Sequence, residues 1–422
     1  MTMNRRQFTS LVSAAATATI LARPGLARAA RPKVVVIGGG AGGATAARYL
    51  AKDSKGAIDV TLIEASKRYY TCFFSNLYLG DFRDYATIGH SYDGLANNHG
   101  VNVVHDWAVG IDAAAKSVTL ASGATIAYDH LVLSPGIDLK YDSVPGYSVE
   151  AQSKMPHAWK SGTQIQILKA QIDAMRQGGT FVMVPPPNPF RCPPGPYERV
   201  SMVASVLKRK NPTAKIIVLD PKEKFSKQAL FTEGWQTHYP GMVEWIPASI
   251  SGGITNVNAE TMEIETDIDT FKADAACVVP AQKAGRIAEI AGVLDGDWAP
   301  IDPASMRSKA DPAITVLGDA SVASAMPKSG FSANSQAKVA ANIIRSELTD
   351  SRRFEARYAN TCWSLIAADD GVKVGANYKA GESEIESTES FISKTGESPE
   401  IRKTTYEESE GWYAGITADM FG

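Results

Sequence analysis

Five residues, Lys33-Val-Val-Val-Ile37, run without a break into Gly38-Gly39-Gly40-Ala41-Gly42-Gly43. This junction constrains the chain more than any other stretch. The apolar, β-branched run is a short buried strand. A helical stretch follows from Ala44 to about Ala51, and a second strand from Ile58 to Ile63 is closed by Glu64. Gly38, Gly40 and Gly43 form G-x-G-x-x-G between strand and helix. Glycines there let backbone amides approach a pyrophosphate at a helix N-terminus, where negative charge is favoured. Glu64, 21 residues beyond Gly43, stands where an acid binds ribose hydroxyls. The unit predicts an α/β domain that holds a dinucleotide.

The chain is long enough for two or three such domains, with 422 residues of which 44% are hydrophobic and 21% charged. That is an ordinary globular composition. A formal charge of −2 gives no footing for nucleic acid. Two later segments fit the first domain: Tyr128 to Gly136, a buried strand ending in Pro-Gly, and Ile314 to Ser321, a strand ending in Gly318-Asp319. Strand ends of this kind line the crevice of an open α/β sheet. Asp319 is also placed to cap the turn. Between them the strand–turn–helix–strand plan repeats, with a strand at Thr180 to Val184, a helix from Pro196 to Lys208 and a strand from Lys215 to Asp220. A second Rossmann-like unit is therefore inserted into the first. From about residue 348 the chain is more polar, and AGESEIESTES reads as a loop or a β-meander.

The second unit breaks the rule set by the first. Its turn should carry glycines, yet Val182 to Val200 reads VMVPPPNPFRCPPGPYERV, with seven prolines and Cys192. Two such units in this order ordinarily bind FAD first and a nicotinamide nucleotide second. Proline has no N–H and fixes φ, so Pro185 to Pro189 cannot ring a pyrophosphate with donors. The second unit is expected to have lost nicotinamide binding, so that another donor must reduce the first unit's FAD.

The first 29 residues read as an export leader. Arg5-Arg6 precedes Gln7-Phe8, a mostly apolar run spans Leu11 to Ala22, and Ala27-Arg28-Ala29 offers a cleavage site. NRRQFT resembles a twin-arginine signal, the route of proteins exported folded; a general secretory signal is the alternative. Removing residues 1–29 takes away four arginines and no acids. Later stretches fall short of the roughly 18 consecutive apolar residues that read as a membrane span. The four cysteines, Cys72, Cys192, Cys277 and Cys362, form neither C-x-x-C nor C-x-x-C-H, so the sequence offers no zinc knuckle and no c-type haem attachment. In an oxidising compartment a disulfide can persist.

RYYTCFFSN (Arg68 to Asn76), PFRCPPGPYERVS (Pro189 to Ser201), GDASVASAMPKSGFSANSQAKVAA (Gly318 to Ala341) and the closing DMFG together resemble the flavoprotein subunit of flavocytochrome c sulfide dehydrogenase. The resemblance covers essentially all of the chain after the leader. It implies a glutathione-reductase-like α/β fold of two Rossmann-like dinucleotide-binding domains plus a smaller C-terminal α+β interface domain. The implied division is a signal at 1–29, an FAD domain at 30–150 and 281–347, a degenerate second domain at 151–280 and an interface domain at 348–422. The resemblance further implies FAD held by Gly38, Gly40, Gly43, Glu64, Gly318 and Asp319 and linked through its 8α-methyl to Cys72. Cys192 and Cys362 match a redox-active disulfide beside the flavin, Glu198 an acid near it, and Trp412 an aromatic near the flavin. Cys277 has no counterpart. In the apolar AACVVP it reads as a buried, inert thiol.

The implied function is oxidation of sulfide in the periplasm, with electrons leaving to a separate c-type cytochrome subunit. Hydrosulfide would open the Cys192–Cys362 disulfide. A helix starting near Ser332-Ala333-Asn334 would aim its N-terminus at the pyrimidine edge of the flavin, with Lys328 adding charge. Residue by residue, simpler roles stay open: Cys72 as a core thiol, the Cys192–Cys362 pair as a structural bridge, and Glu198 as an exposed first-turn acid. A sulfide:quinone reductase is the alternative enzyme, but EGWYAGITADMFG lacks the basic face of a membrane-lying helix. A non-catalytic flavoprotein partner of a sulfur-oxidation complex is the third reading.

Overall fold

The computed structural model describes residues 30–160 and 162–422, so the leader expected at residues 1–29 lies outside the described residues. Contacts divide the chain into Met1–Arg31 and Pro32–Gly422, and every element below belongs to the second unit.

The first junction folds as its pattern demands. Strand Lys33–Ile37 pairs in parallel with Asp59–Ile63 on one side and His130–Leu133 on the other, with Val36 opposite Leu62 and Val132. Asn102–Val104 and Ile314–Val316 extend the sheet at its two edges, again in parallel. Val34, Val36, Leu62, Leu131, Leu133 and Val316 are fully buried. A parallel sheet covered on both faces needs such unbroken apolar runs. Each of these side chains contributes about 1.5–3 kcal/mol by burial. Helices Ala41–Ser54 and Gly330–Thr349 pack against one another. Their buried residues are mostly small, including Gly42, Gly43, Ala46 and Ala47 from the first and Ala333, Ala337 and Ala340 from the second. Small residues permit this close approach, and Asn334 Nδ2 ties the pair by donating to Thr45 Oγ1 at 2.9 Å.

A four-stranded parallel sheet in the order Val243–Pro247, Lys215–Asp220, Thr180–Val184, Ala275–Val278 forms the second unit. Helix Gly195–Lys210 follows the proline turn, with Pro196 in its first turn, where a missing N–H costs nothing.

The C-terminal part is α+β, as the resemblance implies. Strands Arg357–Ala367, Asp370–Ala380 and Ile385–Ile392 form an antiparallel sheet, and AGESEIESTES, readable as a loop or a meander, contributes to its last two strands. The position of helix Pro399–Phe421 is not legible in the sequence pattern. Its buried residues are Arg402, Thr405, Ser409, Tyr413, Ile416, Met420 and Phe421, at helical spacing. The first half of that stripe is Arg, Thr and Ser, so hydropathy shows no periodicity. Arg402 is held instead by the Asp370 carboxylate at 2.6 Å.

Candidate active site

The glycine turn is a tight cradle. Gly38 has φ +97°, and a Cβ there would lie 2.3 Å from the Ser134 carbonyl oxygen. A Cβ on Gly43 would lie 1.8 Å from the carbonyl oxygen of Gly38. Gly40 is the extended N-cap of helix Ala41–Ser54, whose first turn contains no acid, so the positive end of that helix is unbalanced by its own residues. Glu64 is fixed at the mouth of the turn: Oε2 accepts from Gly39 N–H at 2.8 Å and Oε1 from Ser66 N–H at 2.9 Å.

The opposite wall comes from the strand Ile314–Val316. Gly318 follows at φ +71°, its N–H donating to Gln336 Oε1 at 2.8 Å. Asp319 Oδ2 accepts from Arg191 Nε at 2.6 Å, while Oδ1 is buried without a partner. The hydroxyl of Ser332, in the first turn of helix Gly330–Thr349, is buried and unpartnered as well. An orphaned carboxylate oxygen and an orphaned hydroxyl beside a dinucleotide cradle fit the hydroxyls and polar edge of a bound FAD.

Arg191 was missed in the sequence, although it sits inside PFRCPP. Besides Asp319 it reaches the Trp159 carbonyl through Nη1 at 3.3 Å. Its charge also acts on Cys72. Burial raises the Cys72 thiol above its ordinary pKa, and Arg191 opposes that rise. Cys72 lies two residues beyond the end of strand Arg68–Tyr70, and its carbonyl accepts from Ser75 Oγ at 2.6 Å.

The proline loop delivers Cys192 to the same place. Cys192 adopts φ +57°, a left-handed conformation costing about 1–2 kcal/mol outside glycine. Two hydrogen bonds hold it there, from its N–H to the Lys328 carbonyl at 2.7 Å and from Gly195 N–H to its carbonyl at 2.8 Å. Burial pushes its thiol well up, with Cys362, Glu198 and Cys72 adding to the rise and Lys227 opposing it. These residues, distant in sequence, therefore form one cluster. All four cysteines are free thiols in this structure.

Glu198 is half-buried, not the exposed acid its helix position permits. Its Oε2 accepts from Asn76 Nδ2 at 2.8 Å and its Oε1 from Leu365 N–H at 2.9 Å. Asn76 cannot turn round, because its Oδ1 accepts from Arg199 Nε at 3.0 Å. Both carboxylate oxygens thus meet donors, an arrangement that suits the ionised form, while burial raises the pKa. Cys362, on strand Arg357–Ala367, accepts at Sγ from Asn360 Nδ2 at 3.4 Å. Asn360 Oδ1 in turn accepts from Ser329 Oγ at 2.5 Å, and Ser329 caps helix Gly330–Thr349.

Trp412 lies 5.4 Å, between ring centroids, from both Phe73 and Trp363, the residues following Cys72 and Cys362. Lys328 reaches the same turn. Its ammonium donates to the carbonyls of Asp319 and Ser321 at 2.7 and 2.8 Å and faces the Trp298 ring at 3.7 Å. Burial lowers its pKa to about 8. Its ammonium thus braces the Asp319 turn, two residues ahead of helix Gly330–Thr349. Cys277 is fully buried and contacts Arg199 Nη1 at 3.1 Å.

The second unit's crevice is filled. Asp220 ends strand Lys215–Asp220 much as Glu64 follows the second strand of the first unit, but it is buried. Tyr197 Oη at 2.6 Å, Trp245 Nε1 at 2.9 Å and Lys222 Nζ at 2.6 Å all converge on it. Lys222 also donates to the Pro186 carbonyl at 2.9 Å. No carboxylate oxygen is left for a ribose, and the prolines supply no amides. NADH or NADPH added anaerobically in stoichiometric amount is expected to leave the flavin oxidised and to bind without measurable heat. Rapid bleaching would contradict this reading.

Residues 165–280 match the family described as sulfide dehydrogenase (flavocytochrome c) flavoprotein chain, central, and residues 354–421 that described as flavocytochrome c sulphide dehydrogenase, flavin-binding. Residues 32–180 match pyridine nucleotide-disulphide oxidoreductase. A sulfide dehydrogenase (flavocytochrome c) flavoprotein chain from Chlorobaculum thiosulfatiphilum is 52% identical over 44 residues, covering 90% of that sequence and 10% of this chain. The chain belongs to the family of flavocytochrome c sulfide dehydrogenase flavoprotein chains. Among solved structures, the sulfide:quinone oxidoreductase of Aquifex aeolicus superposes on this family member with TM-score 0.69 at 16% identity, covering 92% of each chain. A ferredoxin reductase from Rhodopseudomonas palustris gives 0.64 at 18%, covering 87% of this chain and 89% of its own. At such identities these two relationships establish the fold. Among the described residues, no helix is long and apolar enough to cross a membrane.

Proposed function

We propose that the chain oxidises sulfide through the Cys192–Cys362 pair with FAD as electron acceptor, and that a c-type cytochrome subunit takes the electrons onward in the periplasm. The observation that carries this is the convergence on Glu198 of the segments bearing three cysteines. It stands six residues beyond Cys192 on the helix that follows, and accepts from Leu365 N–H, three residues beyond Cys362, and from Asn76, four beyond Cys72. A structural disulfide needs neither a carboxylate held in this way nor a third thiol near it. Gly38, Gly40 and Gly43 would cradle the pyrophosphate of FAD and Glu64 would take its ribose. Asp319 Oδ1 and the Ser332 hydroxyl would meet further polar groups of the cofactor, and Cys72 would carry the covalent bond to the 8α-methyl. FAD, when bound, supplies a two-electron acceptor.

The chain's own groups do the rest. In the oxidised pair, hydrogen sulfide gives a proton to Glu198 and its sulfur attacks one cysteine sulfur. The S–S bond breaks, the attacked cysteine becomes a hydropersulfide, and the other leaves as a thiolate. The two backbone hydrogen bonds at Cys192 fix where its side chain starts, and thiol exchange requires such fixed placement of the reacting sulfurs. After two electrons and one proton have left, the pair holds sulfur at the zero oxidation level.

The quinone alternative fares worse on the C-terminal helix. Tyr413, Ile416, Met420 and Phe421 are buried against the body of the protein, so they offer no apolar face to a bilayer. Mixing the purified holoprotein with sulfide and a c-type cytochrome tests the proposal. Cytochrome reduction that needs both sulfide and this protein is expected. Reduction of a quinone in preference to the cytochrome would overturn it.

A further inference from the structure

Lys227 takes no part in the proposal above, yet it lies among the same groups. It is 5% exposed and precedes helix Gln228–His238 with φ +63°. Its ammonium donates to the Cys362 carbonyl at 2.9 Å, the Ser364 hydroxyl at 2.8 Å and the Val372 carbonyl at 3.4 Å. These acceptors are neutral, with no carboxylate among them. A buried cation without a contact anion is unfavourable unless charge nearby offsets it. The charged and titratable groups that face it are Cys362, Glu198 and Cys192, and those are the groups that exchange charge in the proposed reaction.

We infer that Lys227 is the fixed counter-charge of the reaction, balanced by the Glu198 carboxylate before sulfide attacks and by the cysteine thiolate afterwards. The inference rests on the sulfide reading and deepens it. In the attack step hydrogen sulfide gives one proton to Glu198, which becomes neutral. The remaining HS forms the S–S bond of the hydropersulfide, and the released cysteine sulfur takes the negative charge. Across Lys227, Glu198 and the two cysteines the count stays at one cation against one anion, and the anion moves from carboxylate to sulfur, while the Arg199 guanidinium that also acts on Glu198 keeps its charge throughout. Without the cation, the step would create a thiolate in a buried site where Cys362 and Cys192 are already pushed above their ordinary values by burial. Lys227 acts through the field it sets and through the Cys362 carbonyl, so it is a positioning residue. Burial also draws its own pKa down to about 8, so its charge can be lost in mildly alkaline solution.

Two substitutions separate charge from anchoring. Lys227→Gln keeps an N–H donor for the Cys362 carbonyl and Ser364 but has no charge. Lys227→Arg keeps the charge. The readout is the pH dependence of iodoacetamide alkylation at Cys362 and Cys192 in the reduced holoprotein, followed by peptide mass spectrometry, and it requires no sulfide. The comparison that isolates the charge is Arg against Gln, because the wild-type ammonium begins to lose its proton near pH 8, below the raised thiol midpoints. The Gln variant is expected to need a pH higher by about one unit than the Arg variant, a tenfold lower thiolate fraction at fixed pH, and equal midpoints in the Gln and Arg variants would overturn the inference. Should the Gln variant fail to fold, the Arg variant decides. Guanidinium keeps its charge throughout the accessible range, so its alkaline limb of sulfide-driven flavin reduction extends beyond that of the wild type, and identical limbs would refute the role. If sulfide fails to bleach the wild type, the functional reading falls, while the thiol titration still reports on the charge.

Discussion

Serine at Cys192 or at Cys362 leaves a folded, yellow protein whose sulfide-driven cytochrome reduction falls by at least roughly 10³-fold, the scale of losing a residue that forms the covalent bond. Serine nearly matches cysteine in shape. At position 192 the two backbone bonds that fix the left-handed turn remain, and at position 362 a hydroxyl can still accept from Asn360. Melting temperatures should therefore change little. A structural staple predicts the reverse pattern, with lowered stability and substantial turnover in whatever folds. Melting temperature and turnover, measured on the same two variants, separate the readings.

Alanine at Cys72 is expected to release the flavin. Wild-type protein, denatured and precipitated with acid, should keep its colour in the pellet, whereas Cys72→Ala should give a colourless pellet and a yellow supernatant. The variant should still bind FAD before denaturation, because Gly38, Gly43, Glu64 and Asp319 do not depend on Cys72. The structure adds a reason for reactivity at this thiol. A cysteine must ionise to act as a nucleophile, burial opposes that, and the Arg191 charge favours it. A wild-type pellet without flavin would remove the covalent link.

The parts of the fold that read well from sequence are those where backbone need and residue type coincide. G-x-G-x-x-G at Gly38 to Gly43 admits few structures, since a Cβ at Gly43 would meet a carbonyl at 1.8 Å. Fully buried parallel strands are equally plain as apolar runs. Helix Pro399–Phe421 was hidden because Arg402, Thr405 and Ser409 occupy its buried stripe, where Arg402 pairs with Asp370 and Ser409 Oγ donates to the Tyr406 carbonyl. The cysteines and Glu198 were legible through local motifs. Arg191, Asn76 and Lys227 were not, because their roles come from partners 128, 122 and 135 residues away. The acceptors of Lys328 are likewise carbonyls that a sequence does not display.

The most direct test of the account is anaerobic mixing of oxidised holoprotein with one equivalent of sulfide. Flavin absorbance is followed in time, and the peptides containing Cys192 and Cys362 are weighed after quenching. The account predicts a bleached flavin together with the gain of one sulfur atom at this pair in the wild type, and neither in the two serine variants. Bleaching that persists in Cys192→Ser or Cys362→Ser, or a wild-type flavin that stays oxidised with both cysteines unmodified, would contradict it.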